Sequence, residues 1–147
     1  MSLPAPELGL VIRYAYLWKS EHDAGRDEGS KDRPCAIVLS VTAGDSGARV
    51  TVLPITHTPP NPREAALALE IPLPVKQRLG LDVERSWIVL SEGNEFTWPG
   101  PDLRPQPGGE LSSVAYGFLP PRLFTETLKR FIALAKIGLA QKVPRTE

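Results

Sequence analysis

Hydrophobic residues occur in short runs that predict β-strands, and polar or proline-rich segments separate these runs. Most runs alternate with polar residues or are rich in Val, Ile, Leu and aromatic residues, which is typical of strands. Strands are predicted at residues 9–18, 34–41, 49–56, 65–71, 86–91, 95–98 and 112–119. Glycine-containing turns at 44–47 and 92–94 predict two hairpins, over 34–56 and 86–98. The pattern favours a β-rich fold.

Helical spacing of apolar residues is clear near the C-terminal end of the chain. Pro121 is a suitable first residue for a helix, and apolar side chains then recur at every third or fourth position. These are Leu123, Phe124, Leu128, Phe131, Ile132 and Ala135. We predict an amphipathic helix over about 121–140 that packs on the sheet, and a short helical turn over 74–79. The charged stretch 19–32 predicts a flexible loop.

The composition indicates that these elements form one domain. A chain of 147 residues can bury one hydrophobic core but is short for two. Hydrophobic residues make up 41% and charged residues 23%, which is ordinary for a folded protein. The 16 prolines divide the chain into short elements, and short elements favour a small barrel of strands. We therefore predict a single domain over residues 1–147.

The charge balance gives no general attraction for nucleic acid, because 17 basic and 17 acidic residues cancel. A local cationic groove can still bind phosphates. Cys35 is the only cysteine, which excludes an intramolecular disulfide and is consistent with a reducing, cytoplasmic location. The two histidines lack the third ligand and the spacing of a zinc site, and no apolar run approaches the roughly 20 residues of a membrane span. No metal, cofactor or membrane is predicted.

Three segments resemble the PemK/MazF family of toxin ribonucleases in their order and spacing. They are 9–12 (GLVI), 31–40 (KDRPCAIVLS) and 52–56 (VLPIT). The later part, from 81–90 through 116–119 to the amphipathic helix, is similar to the family's C-terminal half. The resemblance covers nearly the whole chain. It implies an SH3-like small barrel with a C-terminal helix, in the β-rich α+β class.

The resemblance also implies a homodimeric toxin that cleaves single-stranded RNA without a metal and is neutralised by an antitoxin protein. The family's functional arginine corresponds to Arg33, and its functional threonine corresponds to Thr56. Metal-free RNA cleavage needs a base for the 2′-hydroxyl, an acid for the leaving oxygen, and fixed positive charge at the phosphorane. Arg33 suits the third need, because its charged guanidinium can bind phosphate through two N–H groups. Thr56 can align a phosphate oxygen through its hydroxyl.

Three further residues are candidates for proton transfer. Histidine is the side chain that titrates near neutral pH, which makes His57 a candidate. Neighbouring strand residues point to opposite faces, so His57 reaches the site of Thr56 only if the strand ends there. Glu21 and His22 lie in the charged loop that the resemblance places over the substrate groove. A solvated loop without a function is the competing interpretation.

Substrate and partner contacts are predicted at cationic and aromatic residues. Lys31 and Arg85 are candidates for neutralising phosphates, and Trp18 can stack on an unpaired base or pack in the core. An exposed apolar surface near Phe96 and Trp98 is expected to receive an antitoxin segment. The neutral net charge and the lack of an assigned base keep a second function open, a non-catalytic barrel that binds protein or RNA.

Overall fold

The computed structural model describes residues 3–42 and 47–145. Its strands are β1 Leu10–Tyr14, β2 Arg33–Thr42, β3 Ala48–Thr56, β4 Ala68–Glu70, β5 Trp87–Val89, β6 Glu92–Trp98, β7 Ala115–Phe118 and β8 Gln141–Pro144. Its helices are α1 Lys19–Asp23, α2 Leu73–Arg78 and α3 Pro121–Lys136, with 3₁₀ turns at Pro62–Leu67 and Leu111–Val114. The turn predicted at 44–47 lies, apart from its last residue, outside the described residues.

The β2–β3 hairpin forms the centre of the sheet and is buried on both faces. Its register pairs Cys35 with Pro54 and Ala36 with Leu53, so the two apolar runs form the hairpin that the sequence predicts. Successive side chains of a strand point to opposite faces and therefore enter two core clusters. One cluster contains Ala36 and Leu53 and includes side chains of α2, β5 and α3, whereas the other contains Cys35 and Ile37.

Strand β3 has two partners along its second edge. Its first part, from Ala48 to Val52, pairs with β6, and its last residues, Ile55 and Thr56, pair with β5. Pro54 lies at the change from one partner to the other, where a residue that cannot donate to a ladder is tolerated. The strand order is β4-β5-β3-β2-β1-β7. This arrangement brings the end of β3 beside the segment that leads from α2 to β5.

The hairpin predicted over 86–98 is wrong. In the described chain β5 and β6 both pair with β3 and not with each other. The residues predicted as a turn, 92–94, are the start of β6. Close packing rather than a turn explains Gly93, because a Cβ atom there would lie 2.9 Å from the carbonyl oxygen of Val52. The buried Asn94 side chain hydrogen-bonds the backbone between β1 and α1.

Helix α3 packs on the sheet as predicted, but it ends earlier and buries a different set of side chains. It stops before Gly138, which adopts a φ of +78° and is suited to ending a helix. Thr127 and Phe131 are its buried residues. Ile132 and Ala135, which the sequence pattern places on the packed face, are exposed. The helix covers only part of one core cluster, so its outer turns face solvent.

The structure adds two elements that the hydrophobic pattern does not predict. Helix α1 replaces the start of the predicted loop over 19–32. Its polar contacts explain it: the Glu21 carboxylate accepts from the Trp18 backbone N–H at 3.0 Å, and Lys19 pairs with Asp23 at 2.6 Å. Strand β8 is a parallel partner of β6, so the predicted strand over residues 112–119 is not the last in the chain.

The predicted fold class is confirmed. The protein is a mainly antiparallel β-sheet with few helices and a C-terminal helix, that is, a β-rich α+β fold. Within the described ranges the strand ladder ends at β4 and at β7 and does not close into a ring. None of the helices in the described part of the chain has the length and apolar character to span a membrane.

Candidate active site

A pocket of about 360 Å³ lies where the ends of β2 and β3 meet the segment between α2 and β5. The polar residues in its wall include Arg33, Thr56, His57, Lys76, Asp82 and Ser86. The hairpin register explains why the first two meet, because each lies two residues beyond the paired Cys35 and Pro54, on adjoining strand ends. The structure therefore places the two predicted central residues in one solvent-reachable pocket.

Arg33 begins β2 and is half-buried. Its guanidinium carbon lies 4.9 Å from the centre of the Trp18 ring, a cation–π contact that restrains the side chain. Its Nε atom is buried and has no hydrogen-bond partner within residues 3–42 and 47–145. Since Nε is not accessible from solvent, an anion in the pocket is expected to meet the terminal NH₂ groups of the guanidinium. Trp18, a candidate for base stacking, packs against Arg33 and the ring of Tyr16 instead.

Thr56 is the last residue of β3 and is half-buried. Its backbone pairs with Trp87 of β5, so the sheet fixes its position. The Oγ1 atom accepts a hydrogen bond from the Thr58 backbone N–H at 3.2 Å. The hydroxyl proton can therefore donate to a ligand oxygen, as alignment of a phosphate requires.

His57 follows the end of β3 and lines the same pocket as Thr56. His57 was expected to reach the site of Thr56 only if the strand ends there, and β3 does end at Thr56. Its Nε2 lies 2.8 Å from Oδ2 of Asp82, and its Nδ1 lies 3.6 Å from Oε2 of Glu84. An ionised carboxylate only accepts hydrogen bonds, so Nε2 carries the proton in the contact with Asp82. His57 is the proton-transfer candidate that lies with Arg33 and Thr56.

Lys76 is a pocket residue that the sequence analysis did not single out. It is 2% exposed, and its Nζ donates to Oδ1 of Asp82 at 2.6 Å, to Oγ of Ser86 at 2.7 Å, and to the carbonyl oxygen of Glu84. A buried lysine requires such partners. One sequence signal points to it: Lys76 lies three residues before Leu79, so helical spacing places it on the apolar face of α2.

The contact between Lys76 and Ser86 is not that of an activated serine nucleophile. In a Ser–Lys pair the lysine must be neutral to take the serine proton. Here the Nζ donates to three oxygens, and the Ser86 hydroxyl lies 3.3 Å from the carbonyl oxygen of Glu84, to which it donates. The serine proton is therefore directed away from the lysine, and the geometry does not favour acyl transfer.

The pocket wall also contains a lysine, a carboxylate and a phenol, from Lys31, Asp32 and Tyr116. Lys31 is exposed and lines the pocket, so it can meet a phosphate there. Asp32 pairs with Arg13 at 3.6 Å and with Arg104 at 3.7 Å. Burial raises the pKa of Tyr116 above its ordinary value, so its phenol is protonated at neutral pH and can donate a hydrogen bond.

Four predicted site residues do not line this pocket, namely Glu21, His22, Arg85 and the Trp18 that packs on Arg33. Glu21 stabilises the start of α1 and pairs with Arg26 at 3.1 Å, and His22 is exposed on the same helix. Arg85 donates to both carboxylate oxygens of Glu70 at 2.7 Å. The first two are therefore helix residues rather than residues of a loop over the pocket. Arg85 is occupied by an ion pair on the opposite edge of β5.

The apolar surface expected near Phe96 and Trp98 is largely absent from the described structure. Phe96 is 1% exposed, and its ring stacks on that of Tyr14 with centres 4.8 Å apart. Trp98 is half-buried and packs at the edge of the same core cluster. The expectation is therefore wrong for Phe96, which is a core residue because β6 pairs with the central strand β3.

His57, Asp82 and Glu84 are close together, but their arrangement does not suit a cation. In the described chain no group of three or more His, Cys, Asp or Glu side chains is arranged to bind a metal ion. The ammonium of Lys76 already occupies one oxygen of Asp82, and a second cation would be repelled by it. The three residues form a hydrogen-bonded group instead.

Comparison with models of known protein families gives no match, and comparison with curated proteins gives none either. The resemblance of the chain to PemK/MazF toxins therefore stays a prediction from the sequence.

The Lys76–Asp82 contact predicts an acid-dependent loss of stability. The hydrogen bond from Lys76, with a smaller effect of His57, lowers the pKa of Asp82 below its ordinary value. The unfolded protein thus binds a proton near the ordinary carboxyl pKa of about 3.9, and the folded protein does so only at lower pH. The stabilisation is complete above that value and is lost as pH falls through the folded-state pKa.

We expect the free energy of unfolding, measured by urea denaturation, to fall more steeply below about pH 5 in the wild type than in Asp82→Asn. Glu126→Gln, which alters an exposed pair within α3, is the matched control and should keep the wild-type slope. Parallel curves for the wild type and Asp82→Asn would contradict this prediction.

Proposed function

We propose that this protein is a toxin-type endoribonuclease that cleaves single-stranded RNA without a metal ion. The observation that supports the proposal most strongly is that Arg33 and Thr56, distant in sequence, line one pocket together with His57. These are the groups that the chemistry needs: a fixed cation, a hydroxyl donor and a group that exchanges protons. The similarity to PemK/MazF toxins supports the same function.

The reaction is an attack of the RNA 2′-oxygen on the adjacent phosphorus, which breaks the bond to the 5′-oxygen. Arg33 binds two phosphate oxygens and stabilises the charge of the phosphorane. Thr56 donates to a phosphate oxygen and sets its orientation. Neutral His57 accepts the 2′-hydroxyl proton, and water protonates the leaving 5′-oxygen. The hydroxide that remains takes the proton from the imidazolium, which restores neutral His57. The products are a 2′,3′-cyclic phosphate end and a 5′-hydroxyl end.

Lys31 and the pocket mouth favour a single strand over a duplex. The pocket lies at strand ends beside an exposed lysine, which can meet the phosphate next to the scissile one. A nucleotide must be turned out of a stack to place its 2′-hydroxyl and phosphate in the pocket, and this is least costly for unpaired RNA. A homodimer, an antitoxin partner and a cytoplasmic location belong to the same proposal through the family similarity.

We also propose a second function, binding of RNA or protein without cleavage, and the carboxylates around the pocket favour a protein ligand over RNA. Asp32, Asp82 and Glu84 stand near the cations that would receive a phosphate, and like charges weaken phosphate binding. If these carboxylates dominate, the pocket receives a cationic or neutral group. This function keeps the same fold and requires no proton transfer.

Product analysis of RNA separates the two functions. Purified protein is incubated with a long single-stranded RNA in the presence of a chelator, and the new ends are identified by mass spectrometry. We expect fragments with 2′,3′-cyclic phosphate ends. Intact RNA that still binds the protein would support the binding function, and intact RNA without binding would contradict a role for RNA altogether.

A further inference from the structure

We propose that Lys76 and Asp82 are positioning residues for His57, which fix its ring so that Nε2 keeps a proton and Nδ1 exchanges protons with the substrate. This inference rests on the proposed function for its role in catalysis, but the ring state that it specifies can be measured without RNA. Neither the hydrophobic pattern nor the resemblance to PemK/MazF toxins gives Lys76 and Asp82 a role.

Lys76 carries a positive charge in this structure. Its Nζ donates to three different oxygens, those of Asp82, Ser86 and the Glu84 backbone. Three donated hydrogen bonds require three protons, and only the ammonium form has them. Because Lys76 is held by α2 in the core, the positive charge has a fixed position under the pocket floor.

Two hydrogen bonds fix the orientation of the Asp82 carboxylate. Its Oδ1 accepts from Lys76 at 2.6 Å and also from the Glu84 backbone N–H at 3.2 Å. These contacts hold the carboxylate ionised and turn Oδ2 towards His57, 2.8 Å from Nε2. The lowered pKa of Asp82 agrees with this arrangement. Asp82 is half exposed on its own, so the buried lysine is what fixes it.

Asp82 determines which nitrogen of the His57 ring holds the proton. Since Oδ2 only accepts, the proton of neutral His57 stays on Nε2 and the lone pair is left on Nδ1. Glu84 lies 3.6 Å from Nδ1, beyond hydrogen-bond distance, and its side chain is 70% exposed. A substrate hydroxyl can therefore take the place of Glu84 at Nδ1. The Asp82 carboxylate, 2.8 Å from Nε2, is near enough to stabilise the imidazolium that then forms.

Other charged groups, namely Arg33, Lys31 and Asp32, line the same pocket as His57. None of these three hydrogen-bonds the ring, and only Asp82 contacts Nε2 among the described residues. Asp82 is thus the group that decides which nitrogen holds the proton, whatever the net field in the pocket.

The decisive measurement is the tautomer of His57 in the wild-type protein. Long-range ¹H–¹⁵N correlation spectra distinguish the two neutral forms, and the chain has only two histidines. The His22→Gln variant assigns the signals, and the exposed His22 supplies the reference for an unrestrained ring. At a pH where the ring is neutral we expect His57 to be wholly the Nε2–H form. The Nδ1–H form, or the same mixture as His22, would overturn the proposal.

The variant Asp82→Asn tests the cause of the tautomer preference. Its amide oxygen can still accept from Lys76, so the core contact is retained, and its NH₂ group then faces Nε2. We expect the His57 proton to move towards Nδ1. On RNA, kcat should fall about 10-fold or more with little change in KM, because ring orientation rather than binding is lost. Glu70→Gln, an exposed carboxylate outside the pocket, should leave kcat unchanged.

The nuclease function and the tautomer of His57 can be contradicted independently of each other. If the wild type does not cut RNA but His57 is the Nε2–H form, the function is wrong and the ring assignment stands. If RNA is cut and His57 is the Nδ1–H form or a mixture, the ring assignment is wrong and the nuclease stands. An unchanged tautomer in Asp82→Asn would also overturn the positioning role of Asp82.

Discussion

The Arg33→Ala protein should cleave RNA about 100- to 1,000-fold more slowly than the wild type, as expected when one charged donor to a transition state is removed. Arg33 is suited to this role because it lines the pocket and its guanidinium packs on the Trp18 ring. The effect should fall mainly on kcat, since charge accumulates on the phosphoryl oxygens as the phosphorane forms. Initial rates on a fluorescent single-stranded RNA provide the measurement.

Arg85→Ala is the matched control for Arg33→Ala. Both changes remove an arginine that lies over a tryptophan ring, Arg33 over Trp18 and Arg85 over Trp87, but Arg85 is mostly exposed and does not line the pocket. Its rate should stay within about threefold of the wild type, because an exposed surface ion pair contributes little. Equal losses in the two variants would show that general charge or stability, and not the pocket, controls the rate.

Arg145→Ala should lower the free energy of unfolding by about 3–5 kcal/mol, the range for removing one partner of a buried ion pair. The Arg145 side chain is 1% exposed and pairs with Asp102 at 3.1 Å. It also donates to the backbone oxygen of Ala15 at 2.7 Å, to Oδ1 of Asn94 at 3.1 Å and to the Tyr14 hydroxyl at 3.2 Å. The substitution breaks all of these contacts and leaves buried oxygens short of a donor.

Urea unfolding followed by tryptophan fluorescence measures this loss. The control is Lys142→Ala in β8, the strand that precedes Arg145. This exposed lysine lies 3.4 Å from Glu95, and a change within about 0.5 kcal/mol is expected. A similar small change for Arg145→Ala would mean that β8 is not part of the cooperative unit. Hydrogen exchange should then show β8 opening independently of β6.

The two central site residues were predicted from the resemblance of their segments to PemK/MazF toxins. The apolar runs predict the hairpin itself, and the pairing of Cys35 with Pro54 brings Arg33 and Thr56 to the same end of the sheet. The end of β3 at Thr56 then directs His57 into the pocket. Lys76 and Asp82 could not be found in this way, since they come from a distant helix and the loop after it.

Elements whose sequence is ambiguous depended on their neighbours in space. The segment 92–94 has the composition of a turn, but it is a strand because β3 offers an open edge and Gly93 fits against it. The segment 141–144 has too few apolar residues to predict a strand, and β6 together with the buried Arg145 makes it one. Local propensity is weak in both segments, so pairing decides.

The sequence by itself determined the β-rich class, the central hairpin and the C-terminal helix, because periodicity acts over a few residues, and the resemblance to PemK/MazF toxins singled out Arg33 and Thr56. Only the tertiary structure decided that Phe96 is a core residue, that Glu21 and Arg85 do not line the pocket, and that a buried lysine stands behind His57. These outcomes depend on which distant segments share a strand edge or a core cluster. Such contacts leave no periodic signal along the chain, since the partners are separated by loops of unrelated length.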